Sequence, residues 1–341
     1  MIIHKFLSLS SMYAFTGRVL WWLAGWVTLV AVVYHYTGWP FMAIPWLPLS
    51  LVGVAVAFYV GFKNSHAYDR LWGATRIWTG IENNSRKMST MIKHYRSDDP
   101  AADDSLTLRK ELIYRHIAYL YQLRAQLLEP APWEHVSLGH AWGMRYNNRR
   151  RHEQLNALFR QELAEVDGRP YLSAAECAAL EGYANKAAQL LDQQSKTVQE
   201  LYRRKAINML QQAELQGAIG RFYDAQGEAE RIKQTPFPRK YASFSFAFVC
   251  IFLFLLPFGV IGAFSALGAA GTWLSIPIGI VIGYIYAAME MVGDYSENPF
   301  EGLRNDVPML SICRSIEIDL LQMMGDTGVP APITPKGEVL L

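Results

Sequence analysis

Two long blocks of this chain carry no charged side chain. From Val19 to Phe62, 44 residues pass without Asp, Glu, Lys or Arg, and 49 more do so from Tyr241 to Met289. Each block is long enough for two membrane-crossing helices of about 20 residues with a turn between them. Gly38, Pro40, Pro45 and Pro48 make Thr37 to Pro48 the first turn, with Pro48 suited to open a helix. The uncharged run SALGAAGT (Ser265 to Thr272) makes the second. Spans are therefore expected over roughly Val19–Tyr36, from Pro48 to Phe62, over Ala242–Phe264 with Pro257 placed to kink it, and over Trp273–Met289. Between the blocks, residues 63–240 have ordinary charge, helical periodicity and few strand signals. Helices are expected there at Asn64–Arg96, Leu106–Leu128, Arg149–Glu165, Ser173–Tyr202 and Ala206–Ile232, with Asp98, Asp99 and Asp104 as caps and Ser173 with Glu176 as a capping box. A last helix is expected at Val307–Met324, and Gly325 to Leu341 reads as an extended or disordered end.

The pattern predicts an all-α membrane protein with four transmembrane helices and a large cytosolic helical domain. Its parts are residues 1–62 (a lead-in and the first two spans), 63–240 (the cytosolic domain), 241–290 (the third and fourth spans) and 291–341 (a cytosolic C-terminal segment). In residues 1–18, Phe6, Leu9, Tyr13 and Phe15 suit an amphipathic lead-in along the membrane surface, and the order of features that marks a cleaved signal peptide does not occur. Trp21, Trp22, Trp26, Tyr34 and Tyr36 sit where aromatic rings anchor a span at its two interfaces. Gly279 and Gly283 form a Gly-x-x-x-Gly that lets helices approach closely.

The stretch Ser50 to Arg86 organises the rest. It begins as an apolar span and ends charged and aromatic, with no proline at which a helix would break, so one rod is expected to run from bilayer into water. Val54, Phe58 and Phe62 recur every fourth residue with the small residues Gly53, Ala55, Ala57 and Gly61 between them. A row of this kind commonly packs against lipid or a neighbouring helix, and it also suits an apolar ring built by several subunits. It drifts by about 40° per step, so a second row through Leu51, Ala55, Phe58 and Phe62 stands beside it.

Charge sets orientation. No Lys or Arg occurs between Arg18 and Lys63, whereas Lys63, Arg70, Arg76, Arg86, Lys87, Lys93 and Arg96 crowd the end of the second span, and Arg239 and Lys240 precede the third. Both hairpins are expected to point outward, with both termini cytoplasmic. A net charge of +2 without a basic run gives no sign of nucleic acid as a partner.

Candidate chemistry is sparse. The eight histidines include no pair at helical metal-site spacing, and of them only His135 and His140, in a loop with Glu134, suggest even an incidental ligand set. Cys177, Cys250 and Cys313 have neither zinc-finger nor redox spacing. No cofactor and no catalytic residue is expected. The uncharged blocks also lack the intramembrane ionisable group on which coupled carriers rely, which favours a passive conduit. A secondary transporter or exporter, and a membrane-anchored enzyme or scaffold, are the other readings.

Phe62 to Arg86, FKNSHAYDRLWGATRIWTGIENNSR, places an Asn-Ser pair ahead of Ala-Tyr-Asp-Arg and an aromatic pattern. Asp294 to Asp319, DYSENPFEGLRNDVPMLSICRSIEID, carries an acidic Asn-Pro-Phe turn after the last apolar block. In this order the two stretches resemble the signatures of the bacterial branch of the bestrophin family. The resemblance implies a homopentameric channel for small monovalent ions in a lipid membrane, with chloride and other anions favoured and cation selectivity open. It places an apolar neck at Val54, Phe58 and Phe62, with Ser50 above, and a second constriction near Ala206 to Met209, with Ile207 as lining residue or as ordinary core. In animal bestrophins a dense acidic run after Asn-Pro-Phe clasps calcium. Here Leu303 and Arg304 stand where carboxylates would, so no tight calcium site is expected. Asp294, Glu297, Asn298 and Asp306 are left as a degenerate clasp, its acids expected to cap helices and pair with Arg70, Arg76 or Arg86.

Overall fold

The structure, a computed structural model, describes residues 1–3, 6–96, 106–137, 146–169 and 171–341. The expected caps Asp98, Asp99 and Asp104 and the candidate ligand His140 lie outside the described residues. The helices in chain order are α1 (Leu9–Thr37), α2 (Trp46–His94), α3 (Leu106–Leu127), α4 (Tyr146–Leu158), α5 (Arg160–Asp167), α6 (Ala174–Leu180), α7 (Lys186–Arg203), α8 (Met209–Gln234), α9 (Arg239–Phe264), α10 (Gly268–Asp294) and α11 (Met309–Met324). Among the described residues no strand forms, and β-type pairing is confined to the isolated bridges Ile2 to Val339 and Lys336 to Val339.

The expected rod is present and longer than Ser50 to Arg86, because nothing between Trp46 and His94 withdraws a backbone donor beyond the first turn, where Pro48 sits. Residues 9–18 of the expected lead-in are continuous with the first span in α1. Ser8 caps α1 by accepting from Ser11 N at 3.2 Å, so the chain from Leu9 onward is already the span's own first turns. At the other end Gly38 takes the left-handed φ of 61° that closes the helix, its N–H bonding Tyr34 O.

Two expected helices are broken. Arg149–Glu165 is interrupted at Phe159, whose ring is fully buried with Leu310 and Ile333. Ser173–Tyr202 is interrupted after Leu180, where Asn185 Oδ1 takes the N–H of Ala188 at 3.0 Å and starts a new helix. The Ser173–Glu176 capping box forms as expected. The tail is not disordered. Val339 pairs with Ile2, Ile333 is buried with Phe159 and Leu310, and Lys336 Nζ donates to Leu158 O at 2.7 Å and pairs with Glu162. Its few apolar residues are spaced by Pro and Gly, which hides them from a periodicity argument.

The chain divides into two compact units. One comprises His4–Arg70 and Pro236–Asn298, the other Met1–Ile3, Leu71–Thr235 and Pro299–Leu341. In the first, Leu23, Val27, Val56, Val60, Phe252, Leu256 and Ala287 form one apolar core from α1, α2, α9 and α10. Gly279 and Gly283 serve close approach, since a Cβ at either would come 3.0 Å from Val27 and 2.7 Å from Leu23 of α1. In the second unit, Trp78, Ile81 and Met88 of α2 pack with Ile113, Ile117 and Leu120 of α3, Leu190 and Leu191 of α7, Phe222 of α8 and Ile316 of α11. Among the described residues three stretches are long and apolar enough to cross a membrane: Leu9–Thr37, Pro40–His94 and Arg239–Asp294, the last covering α9 and α10 in turn.

Candidate functional site

Within the first unit, α2 has one greasy exposed face and one pinned face. Val54, Phe58 and Phe62 are 68%, 68% and 54% exposed, and the Phe58 and Phe62 rings meet edge to face at 4.6 Å. Leu51 and Ala55 are exposed as well, so both rows read from the sequence belong to one broad apolar face. At about 100° per residue these positions fill an arc of roughly 100°. Past Phe62 the same face turns polar at Ser65 and Asp69, both exposed. Exposure alone does not mark a conduit, because Trp21, Phe41, Ile251, Phe254 and Val281 are exposed apolar residues too. What sets α2 apart is a long apolar face that ends in a polar continuation on the same helix.

The opposite face holds Gly53, Val56, Val60, Lys63 and Ala67, all buried. Tyr286 Oη donates to Gly53 O at 3.0 Å. Lys63 Nζ lies 2.5 Å from Glu290 Oε1 with its side chain 1% exposed, and the other carboxylate oxygen accepts from Ser245 Oγ at 2.6 Å. Asn64 Nδ2 donates to Met289 O at 3.0 Å. A buried pair of this kind contributes little when intact, and removing one partner strands the other charge at a cost of about 3–5 kcal/mol. Of the expected site residues, Asp294 alone reaches this cluster among the described residues, 3.9 Å from Lys63 Nζ.

The acidic turn is divided between the two units. In the first, Asp294 closes α10 and stands 3.9 Å from Lys63 Nζ. Glu297, 2% exposed, pairs with Arg239 at 3.4 Å, and its carbonyl accepts from Arg70 Nε at 2.9 Å. Asn298 is buried. In the second, Asp306 accepts from the N–H groups of Phe300, Gly302 and Val307 at 2.7–3.0 Å, which holds Phe300 at the left-handed φ of 72°. Burial pushes the Asp306 carboxyl above its ordinary range, against those three donors. Of the arginines expected to pair with these acids, Arg70 does meet Glu297, through its backbone, while Arg86 bonds Glu82 and Asp319 instead.

In the described part of the loop considered for metal, His135 and Glu134 are held in internal pairs. His135 N and Nδ1 both contact Glu301 Oε1 at 3.1 Å, and Glu134 lies 2.5 Å from Lys233 Nζ, which also donates to Phe300 O at 3.2 Å. Burial drives the Glu134 carboxyl up to about 7, with Lys233 opposing. Ile207 is 2% exposed and part of the second unit's core. Asn208 caps α8 and turns the next side chains outward, leaving Met209 and Leu210 75% and 69% exposed.

The family model for the bacterial/fungal bestrophin protein matches residues 6–322. The chain belongs to this bestrophin family. Among curated relatives, the voltage-dependent anion channel-forming protein YneE of Escherichia coli K12 is 24% identical over 308 residues, 90% of this chain and 86% of that protein. The voltage-dependent anion channel-forming protein mll4386 of Mesorhizobium japonicum is 24% identical over 318 residues, 92% of this chain and 83% of that protein. A crystal structure of a bacterial bestrophin homologue from Klebsiella pneumoniae superposes with a TM-score of 0.69 at 18% identity, covering 90% of this chain and 97% of that one. The bestrophin fold and membrane character expected from the sequence are thus met by an all-helical chain with long apolar helices.

Proposed function

We propose that this bestrophin-family chain forms an ion channel, an anion channel by preference, whose conduit is lined by α2. Four spans, α1, the first part of α2, α9 and α10, would cross a bacterial inner membrane with both termini in the cytoplasm, and five copies would surround one axis. Val54, Phe58 and Phe62 would form the neck. Its apolar walls are short, so an ion passes partly hydrated, and the positive edges of the phenylalanine rings favour anions. The observation that carries this reading is the wide apolar face of α2, left exposed while the opposite face is tied to α9 and α10. The names of the relatives support the anion preference. Met209 and Leu210 take the place of Ile207 as candidates for a second apolar ring.

Purified protein fused into a planar bilayer under a potassium chloride gradient tests the reading. Unitary steps with a reversal potential displaced toward that of chloride support it. Slow saturable flux without steps supports a carrier, and displacement toward potassium reverses the sign of selectivity.

A further inference from the structure

The apolar face of α2 is held from behind at both ends, by contacts of different kinds. Near its start the pin is steric. Tyr286 Oη takes up the Gly53 carbonyl, and a Cβ at Gly53 would come 3.0 Å from the Phe252 ring. Just after its end the pin is ionic, through Lys63, Glu290 and Ser245, backed by the Asn64 amide on Met289 O. Gly293 belongs to it, because any Cβ there would run into the Asn64 side chain. The pinned positions Gly53, Lys63 and Asn64 centre about 170° from the middle of the exposed arc.

We propose that the Lys63–Glu290–Ser245 cluster is a positioning element that fixes the rotation of α2 and thereby selects the side chains that enter the conduit. The proposal rests on the channel reading above. Apolar contacts such as Val56 and Val60 with Val249 and Leu256 are non-directional, and ridges can slip past grooves at modest cost. The ionic pin cannot slip. Both oxygens of Glu290 are committed, one to the Lys63 ammonium and one to the Ser245 hydroxyl, and a rotation of one residue would bury both charges without partners. The remaining carboxylate near Lys63 is Asp294, 3.9 Å away and one turn further along α10, its side chain 43% exposed. Removing the charge of Glu290 therefore leaves Lys63 a partner displaced toward the helix end, and α2 is drawn round with it.

The test is a cysteine scan of positions 51 to 62 in reconstituted protein lacking Cys177 and Cys250, using a water-soluble methanethiosulfonate reagent during current recording. In the parent, cysteines at 54, 58 and 62 react and change the current, while those at 56 and 60 do not. In Glu290→Gln the reactive set moves to neighbouring positions, and in Lys63→Arg it stays. Ser245→Ala, which removes one hydrogen bond and leaves the ion pair, alters the reaction rate at position 62 by about fivefold. A merely structural cluster would lower thermal stability in these variants without moving the reactive positions. An unchanged pattern in Glu290→Gln, or, should that variant not fold, an unchanged rate in Ser245→Ala, overturns the positioning role and leaves the channel intact. A parent in which no position reacts overturns the channel reading itself.

Discussion

The two halves of α2 are inside-out versions of each other. Up to Phe62 the exposed side chains include Leu47, Leu51, Val54, Phe58 and Phe62, and the buried face ends on a lysine. From Ala74 to Ile92 the buried apolar side chains are Ala74, Ile77, Trp78, Ile81, Met88 and Ile92, with the small Ser85 and Ser89 buried beside them, and Arg76, Thr79, Asn83 and Lys87 point out. Both halves obey the same helical period. The difference lies in which side is apolar, and it teaches that a helix reports its surroundings through the sign of its amphipathicity. The second half has the pattern of an ordinary bundle helix, apolar inward and polar outward. The first needs a surrounding in which an exposed phenylalanine costs little and a buried ion pair is retained, namely lipid, a neighbouring copy or a narrow conduit.

The largest effect should come from breaking the second half where it is buried. Trp78→Ala removes a fully buried side chain from the bundle core and should cost about 3–5 kcal/mol, read as a large fall in thermal midpoint of the purified protein. Phe58→Ala, by contrast, should leave stability within about 1 kcal/mol and raise unitary conductance, since its ring is 68% exposed. If the two swap behaviour, the division of α2 is wrong.

A smaller effect sharpens the packing of the apolar unit. Gly283→Ala places a methyl 2.7 Å from Leu23 and should destabilise the α1–α10 contact by about 1–3 kcal/mol. Gly61→Ala, on the exposed face of α2 with open space around it, should be neutral or slightly stabilising through helix propensity. Comparing their thermal midpoints in one detergent checks both.

The smallest effect near neutral pH, growing with acid, concerns His116. The ring is fully buried against Tyr119 and Phe222, with Nε2 2.8 Å from Ser85 Oγ, and burial lowers its pKa to about 3. Below about pH 6.5 the unfolded chain takes a proton there that the folded chain refuses until pH 3, so stability falls with acid by up to about 1.4 kcal/mol per pH unit. His116→Gln removes that penalty. Its deficit in thermal midpoint against the parent should shrink between pH 7 and pH 5, and a constant deficit would contradict the neutral buried imidazole.

Much of the architecture is legible in the sequence because membrane helices need long uncharged runs and turns need Gly and Pro. The apolar face at Val54, Phe58 and Phe62 is legible for the same reason, as a period within such a run. The pin behind it is not. Lys63 and Glu290 are 227 residues apart, and each reads as the ordinary first charge after an apolar block. The available signal was their opposite sign at matching block ends, Lys63 directly after Phe62 and Glu290 directly after Met289. His135 with Glu301, 166 residues apart, is hidden in the same way, since pattern arguments see periods within an element and not partners across the fold. At Ile207 the sequence leaves two readings open, because apolar character near a helix start does not tell a lining residue from a core one, and the Asn208 cap that fixes where α8 begins is a matter of local geometry.

Single-channel conductance of two exposed-to-alanine variants, Phe58→Ala on α2 and Ile251→Ala on α9, tests the central claim most directly, because the two side chains are 68% and 52% exposed and differ in the helix that carries them. The account predicts a changed conductance for Phe58→Ala and the parent's conductance for Ile251→Ala. Equal conductance in both, or a change confined to Ile251→Ala, would contradict a conduit lined by α2.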